Sequence, residues 1–337
     1  MFGIYDYLHQ LVDQAFAFTK LVQNREVGWL TVDRKTGHYK REKQPTLKKL
    51  KLLVLFNPLM EWIDRTHLLR LWTHEKNLEK GRKEGTPQSR KQIKSFIDFY
   101  QIDMSSFEPS DPEKYETFED FFVRKHAPGA GPIFAQNDPT KAIAVADSRV
   151  VVYPTVEATR RLWIKGSKFT IDHLIKDRDR AKPWENGAVA SFRLSPQDYH
   201  RYHSPVEGKV QWYKQIPGDY FQVDPIALQS SVNILTENAR CCVCIETEDF
   251  GLVLFVAIGA TDVGTVGFHE EMMTAGHHVK KGDEIGLFQF GGSSILVAFE
   301  KDRIQFDQDL EQLSHQQIMV NVEVGMSLGK ATQPKAR

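Results

Sequence analysis

Residues 240–260, RCCVCIETEDFGLVLFVAIGA, contain two apolar runs parted by a short polar stretch, and this texture decides the fold class. Cys, Val, Ile, Leu and Phe crowd each run, and turn residues bound them, the composition of buried strands. Outward from here the same texture recurs in KAIAVADSRVVVYPTV (141–156), GAVASFRL (187–194), GKVQWYKQI (208–216) and SILVAFE (294–300). Gly, Pro, Asp and Asn punctuate these runs, so each reads as a strand.

Upstream the period changes. Tyr7, Leu8, Leu11, Val12, Ala15 and Phe16 recur at helical spacing, as do Leu59, Trp62 and Ile63. RKQIKSFIDFYQI (90–102) continues the stripe through Ile93, Phe96, Ile97 and Tyr100. Between these lie VDRKTGHYKREKQPT (32–46) and EKNLEKGRKEGTPQS (75–89), both charged and both read as exposed loops. The expected fold is α+β, with a helical N-terminal region over 1–105 and a mostly antiparallel β-sheet domain over 106–337.

The 337 residues include 41% hydrophobic ones, enough for a packed core. Lys plus Arg and Asp plus Glu are 44 each, a balance that argues against nucleic-acid binding and leaves room for a local basic patch facing a membrane. The cysteines Cys241, Cys242 and Cys244 are crowded into one strand-like run, where neighbours point to opposite faces. They read as reduced thiols in a cytoplasmic setting, with poor spacing for zinc, and no metal site is expected. The start, MFGIYDYLHQLVDQ, lacks the pattern of a signal peptide. The most apolar run, Leu50–Met60, contains Lys51, Asn57 and Pro58 and falls short of the ~20 residues of a spanning helix. A cytoplasmic protein, or one peripheral to a membrane, is expected.

Three segments carry candidate chemistry. In GDEIGLFQFGGSSILVAFE (282–300), Gly291 and Gly292 precede Ser293 and Ser294. A hairpin or bulge would use such a pair, but Gly292 also leaves its carbonyl open to attack by the Ser293 hydroxyl. Attack would give an ester, and elimination and hydrolysis would then leave a pyruvoyl group. In LSPQDYHRYHSPVEGKV (194–210), His200 and His203 lie near Asp198, Tyr199 and Tyr202. Catalytic, metal-ligating and structural readings of these histidines stay open. Asp147, between two apolar runs, is either a turn-former or the buried orienter of a histidine.

ADSR (146–149), YHRYHSP (199–205) and FGGSS (290–294), in that order, resemble the phosphatidylserine decarboxylase family. FEDFFVRKHAPGAGPI (118–133), WIKGSKFTI (163–171), IPGDYFQVDP (216–225) and VKKGDEIGLFQF (279–290) extend the resemblance over roughly residues 90–330. It implies a self-processing proenzyme cut between Gly292 and Ser293, with a β chain of 1–292 and an α chain opened by a pyruvoyl group from Ser293. Asp147, His203 and Ser293 are then the self-cleavage triad, and His200 serves decarboxylation. The implied enzyme is a homodimeric carboxy-lyase that binds its amine substrate through a Schiff base and needs no metal or pyridoxal phosphate. Phosphatidylserine is the favoured substrate. TLKKLKLLVLFNPLMEWI (46–63) and THLLRLW (66–72) are candidates for peripheral membrane contact, and Arg161 or Lys165 for the lipid phosphate. The GGSS motif also occurs in relatives acting on free amino acids such as tryptophan, which makes an aromatic amino acid the alternative. The transmembrane segment and C2 domain of other members are not recognised in the chain.

Overall fold

The computed structural model describes residues 30–41, 83–162, 169–218, 234–259, 266–289 and 293–333. The helical stripe over 7–16 and the lipid-facing candidates at 46–63 and 66–72 lie outside these residues, as do Lys165, Gly291 and Gly292. Among the described residues, each apolar run read as a strand forms one. The large sheet uses β1 (Leu30–Asp33), β2 (Tyr39–Arg41), β3 (Ser148–Tyr153) and β4 (Ala188–Leu194). Beyond β5 (Arg201–His203), which belongs to a second sheet, come β6 (Gly208–Ile216), β7 (Arg240–Thr247) and β8 (Gly251–Gly259). Then follow β9 (Val266–Phe268), β10 (His278–Val279), β11 (Glu284–Phe288), β12 (Ser293–Phe299) and β13 (Met319–Val322).

Ten strands make the large sheet in the order β10-β6-β7-β8-β12-β4-β3-β13-β1-β2. Its pairs are antiparallel except β1 with β13. The fold is α+β and mostly antiparallel, as read from the sequence. Both faces of the sheet are covered, which is why its central runs show little polar alternation. One face carries Cys241, Val243, Phe255, Val297 and Phe192 against Tyr202, Phe268 and Phe288 of the three-stranded sheet β9-β11-β5. The other carries Cys242, Cys244, Val256, Leu296 and Val151 against Ile171, Leu174 and Trp184 from short helices. The neighbouring thiols thus point to opposite faces, and burial pushes the Cys242 thiol up to about 12.

Residues 30–41 depart from the helical and loop readings of the N-terminal region. Here β1 and β2 form a hairpin whose turn is closed by Asp33 Oδ1, which accepts the amides of Lys35 (3.1 Å) and Thr36 (3.0 Å). Gly37 follows at φ 68°, where a side chain would be strained. The charge that argued for exposure is spent on tertiary contacts, because Arg34 pairs with Asp307 (2.8 Å) and Asp309 (2.7 Å). The stripe at 90–102 does form a helix, α1 (Gln92–Tyr100), which buries Ile93. A capping box from Thr117 and Asp120 opens α2 (Phe118–Phe122), whose Phe121 and Phe122 are buried.

Phe255 lies mid-sheet, fully buried, with its ring 5.5 Å from that of Tyr202 and 5.7 Å from that of Phe268. Phe255→Ala should cost about 3–5 kcal/mol through lost burial and the cavity left behind. Thermal unfolding checks this, and an unchanged midpoint would show that the two sheets are not packed through this ring.

Candidate active site

One end of the large sheet gathers the residues singled out in the sequence. Ser293 opens β12 in register with Leu194, the last residue of β4, and with Gly259, the last of β8. At the same end β3 starts at Ser148, paired with Val322 where β13 stops. The segments 195–200, 144–147 and 323–326 therefore leave the sheet at the same end as Ser293, the first of them from the strand next to it.

Hydrogen bonds fold the first of these segments back on itself. The Asp198 amide donates to Ser195 O (2.9 Å), and the Ser195 amide donates to Asp198 Oδ2 (2.6 Å). That carboxylate also pairs with the buried Arg149 guanidinium. Arg124 donates to Gln197 O (2.6 Å) and lies over the Phe107 ring at 4.3 Å. Burial lowers its pKa to about 10 even though Asp147 is nearby, still high enough to keep it charged at neutral pH. The segment is thus held by two arginines that sequence inspection passed over.

His200 is fully buried, with its ring centroid 3.9 Å from that of Phe122. Its Nδ1 lies 2.9 Å from Asp198 O, a contact that requires the proton on Nδ1 and directs the lone pair of the neutral ring to Nε2. His203 is arranged alike. Its Nδ1 donates to Gly282 O (2.8 Å), and its Nε2 meets the Tyr199 hydroxyl at 3.1 Å. Burial lowers the His203 pKa, and the neighbouring Glu284 and Asp147 oppose that shift only in part. The Tyr199 hydroxyl, itself raised by burial, stays protonated and can donate to Nε2.

Asp147 is close to His203, whose amide donates to Val145 O (2.8 Å), yet its carboxylate is aimed elsewhere. Oδ1 accepts the Val324 amide (2.8 Å), and Oδ2 lies 3.3 Å from His126 Nε2. Among the described contacts Asp147 and His203 make no direct hydrogen bond, since each is engaged by other groups. The carbonyl of Gly282 takes the orienting contact to the His203 ring.

The two serines differ. Ser294 Oγ donates to Phe192 O (3.0 Å), whereas Ser293 Oγ is buried with no hydrogen-bond partner among the described residues. Leaving a hydroxyl so costs stability, and such a group calls for a reason other than packing. Tyr199, His126, Arg124 and Arg149 complete the surroundings. Of these, Tyr199 was singled out in the sequence as an aromatic neighbour of the two histidines, whereas Arg124, His126 and Arg149 lie inside the motifs at 118–133 and 146–149 with no role read for them.

The sequence profile of phosphatidylserine decarboxylase matches residues 118–330, from the start of α2 to beyond β13. The chain belongs to the phosphatidylserine decarboxylase family. It is 44% identical over 262 residues to phosphatidylserine decarboxylase proenzyme 2 of Oryza sativa subsp. japonica, covering 77% of this chain and 42% of that protein. Against proenzyme 3 of Schizosaccharomyces pombe the identity is 34% over 320 residues, or 94% of this chain and 31% of the relative. The chain thus spans less than half the length of these two phosphatidylserine decarboxylases. The proenzyme of Fusobacterium nucleatum is nearer in size, 33% identical over 302 residues that make up 88% of this chain and 96% of its own.

Because His203 is held neutral, it binds fewer protons folded than unfolded in the range between its depressed pKa and the ordinary value near 6.5. Unfolding free energy should therefore rise with pH across that window and be lost as acid protonates the unfolded chain first. His203→Gln should flatten this dependence, and chemical denaturation at a series of pH values would show it. A slope unchanged by the substitution would mean that the ring is not desolvated.

Proposed function

We propose that the chain is a carboxy-lyase that cuts itself between Gly292 and Ser293 and then converts phosphatidylserine to phosphatidylethanolamine and CO2. The observation that carries the first half is the buried Ser293 hydroxyl, without a partner among the described residues, at the sheet end from which the segment bearing His200 and His203 leaves the neighbouring strand. A structural serine would be bonded as Ser294 is.

In this reading His203 is the base. Gly282 O fixes the Nδ1 proton, burial keeps the ring neutral, and Nε2 is left as the acceptor that exchanges the Tyr199 hydroxyl for that of Ser293. Asp147 acts through space, its charge favouring the imidazolium formed when the Ser293 proton is taken up. The Ser293 oxygen attacks the Gly292 carbonyl carbon, the C–N bond breaks, and the proton passes to the Ser293 nitrogen. Loss of the residue 293 α-proton with the Gly292 carboxylate as leaving group gives dehydroalanine. Hydrolysis then releases ammonia and leaves the pyruvoyl group.

Ser293 suits that group, since its side chain is buried and free of competing hydrogen bonds among the described residues. A pyruvoyl group supplies an electrophilic carbonyl for the substrate amine and an electron sink as CO2 departs. His200 is the residue proposed to move the proton in that reaction. Its Nδ1 is anchored on Asp198 O and its ring packs against Phe122, which fixes where Nε2 points.

The relatives named above all carry phosphatidylserine in their names, and free aromatic amino acids, the alternative substrate, find no support in them. Among the described residues no helix is long and apolar enough to cross a membrane. Contact with a lipid surface is proposed because the substrate resides in one, and homodimeric assembly because the family resemblance suggests it.

Ser293→Ala and His203→Ala should each stay a single 38.7 kDa chain on denaturing electrophoresis, whereas His200→Ala should be cut but turn over at least a hundredfold more slowly. A Ser293→Ala protein that still releases CO2 would sink the cofactor assignment. For the substrate, CO2 release from phosphatidylserine vesicles is compared with release from free tryptophan and serine. Turnover of tryptophan with inert vesicles would reverse the choice.

A further inference from the structure

His126 takes no part in the reaction as proposed above, yet it sits against the site. It ends a two-residue strand, Lys125–His126, that runs on from α2. Its ring meets Phe107 edge-on with centroids 5.2 Å apart, and Tyr199 at 4.1 Å. Both ring nitrogens are buried, and neither makes a hydrogen bond among the described residues. Nε2 lies at ion-pair distance, 3.3 Å, from Asp147 Oδ2 without hydrogen-bond alignment. Two aromatic rings form a pocket that an aliphatic side chain would fill without stranding polar atoms, so packing alone does not account for an imidazole here.

Two contacts give it a purpose. With Asp147 Oδ1 held by the Val324 amide, Oδ2 is turned to His126. Tyr199, packed against the same ring, carries the hydroxyl that meets His203 Nε2. His126 therefore touches both groups that surround the proposed base, the carboxylate and the tyrosine.

We infer that His126 is a positioning residue for self-cleavage, holding the Asp147 carboxylate and the Tyr199 ring where they act on His203. It makes no hydrogen bond to the Ser293 hydroxyl and acts only through those two residues. The inference rests on the self-cleavage proposed above.

The test follows conversion of the full chain to two pieces by denaturing electrophoresis during cell-free synthesis, with thermal melting of each variant alongside. His126→Leu should keep or raise the melting temperature while slowing cleavage at least tenfold. His126→Gln, whose amide can donate to Asp147, should cleave within about threefold of the natural chain. Asp147→Asn should also be slow, and Asp147→Asn combined with His126→Leu should be no slower than the slower single variant. Cleavage of His126→Leu at the natural rate, or losses that multiply in the double variant, would overturn the inference. So would a folded but slow His126→Gln, or failure of both His126 variants to fold, since either marks a packing residue. Natural-rate cleavage by Asp147→Asn would refute the proposed role of Asp147 itself. A slow Asp147→Asn beside an unaffected His126→Leu refutes only the part given to His126.

Discussion

The Asp198 carboxylate accepts the Ser195 amide and the Arg149 guanidinium at once, and the geometry of the site hangs on this pair of contacts. Ser195 is the first residue beyond β4, and Arg149 belongs to β3 beside it, so the carboxylate bends the chain back over the end of the sheet. The backbone carbonyl of the same residue then sets the tautomer of His200. Three residues on, His203 ends β5, and the hydrogen bond from its amide to Val145 O returns the chain to the Asp147 segment. Removing one partner from a buried ion pair of this kind typically costs about 3–5 kcal/mol, because the remaining charge is left in a place water does not reach. Such a pair is poor value for stability alone and makes better sense as a device that fixes a loop.

Burial governs the chemistry of both histidines. Each gives its Nδ1 proton to a backbone carbonyl, Asp198 O for His200 and Gly282 O for His203. A carbonyl orients an imidazole without bringing a full negative charge, and burial lowers the pKa of the His203 ring. The charges that could draw a proton onto His203, Asp147 and Glu284, are engaged by other groups, and Glu284 bonds both Arg201 and His269.

The sheet was legible in the sequence because both of its faces are covered. Covered strands are apolar along most of their length, as GLVLFVAIG and the ILVAF that follows the two serines of β12 show. The hairpin at 30–41 was hidden for the opposite reason. It is an edge, rich in charge, and Arg34 finds its acidic partners nearly three hundred residues away. Asp147, His200, His203 and Ser293 are candidates named by motif order, and the structure brings their segments to one sheet end. What linear inspection could not supply is which oxygen each ring nitrogen meets. Gly282 O is invisible as a side chain, and His126 lies twenty-one positions from the carboxylate it faces. Pairings of that sort are set by the crossing of strands, which spacing along the chain does not encode.

Ser293 begins a strand that is hydrogen-bonded on both edges, to β8 through Gly259–Val253 and to β4 through Leu194–Ala188. The elements described after it, including β13 and the helix Gln308–His315, are woven back among strands from the earlier part of the chain. A break before Ser293 would therefore cut the covalent thread without loosening the fabric. The two pieces would be held as one cooperative body by sheet bonds and shared core, and neither could leave without unfolding the other. Such interlocking lets a protein sever its own backbone at the heart of its largest sheet and retain its shape.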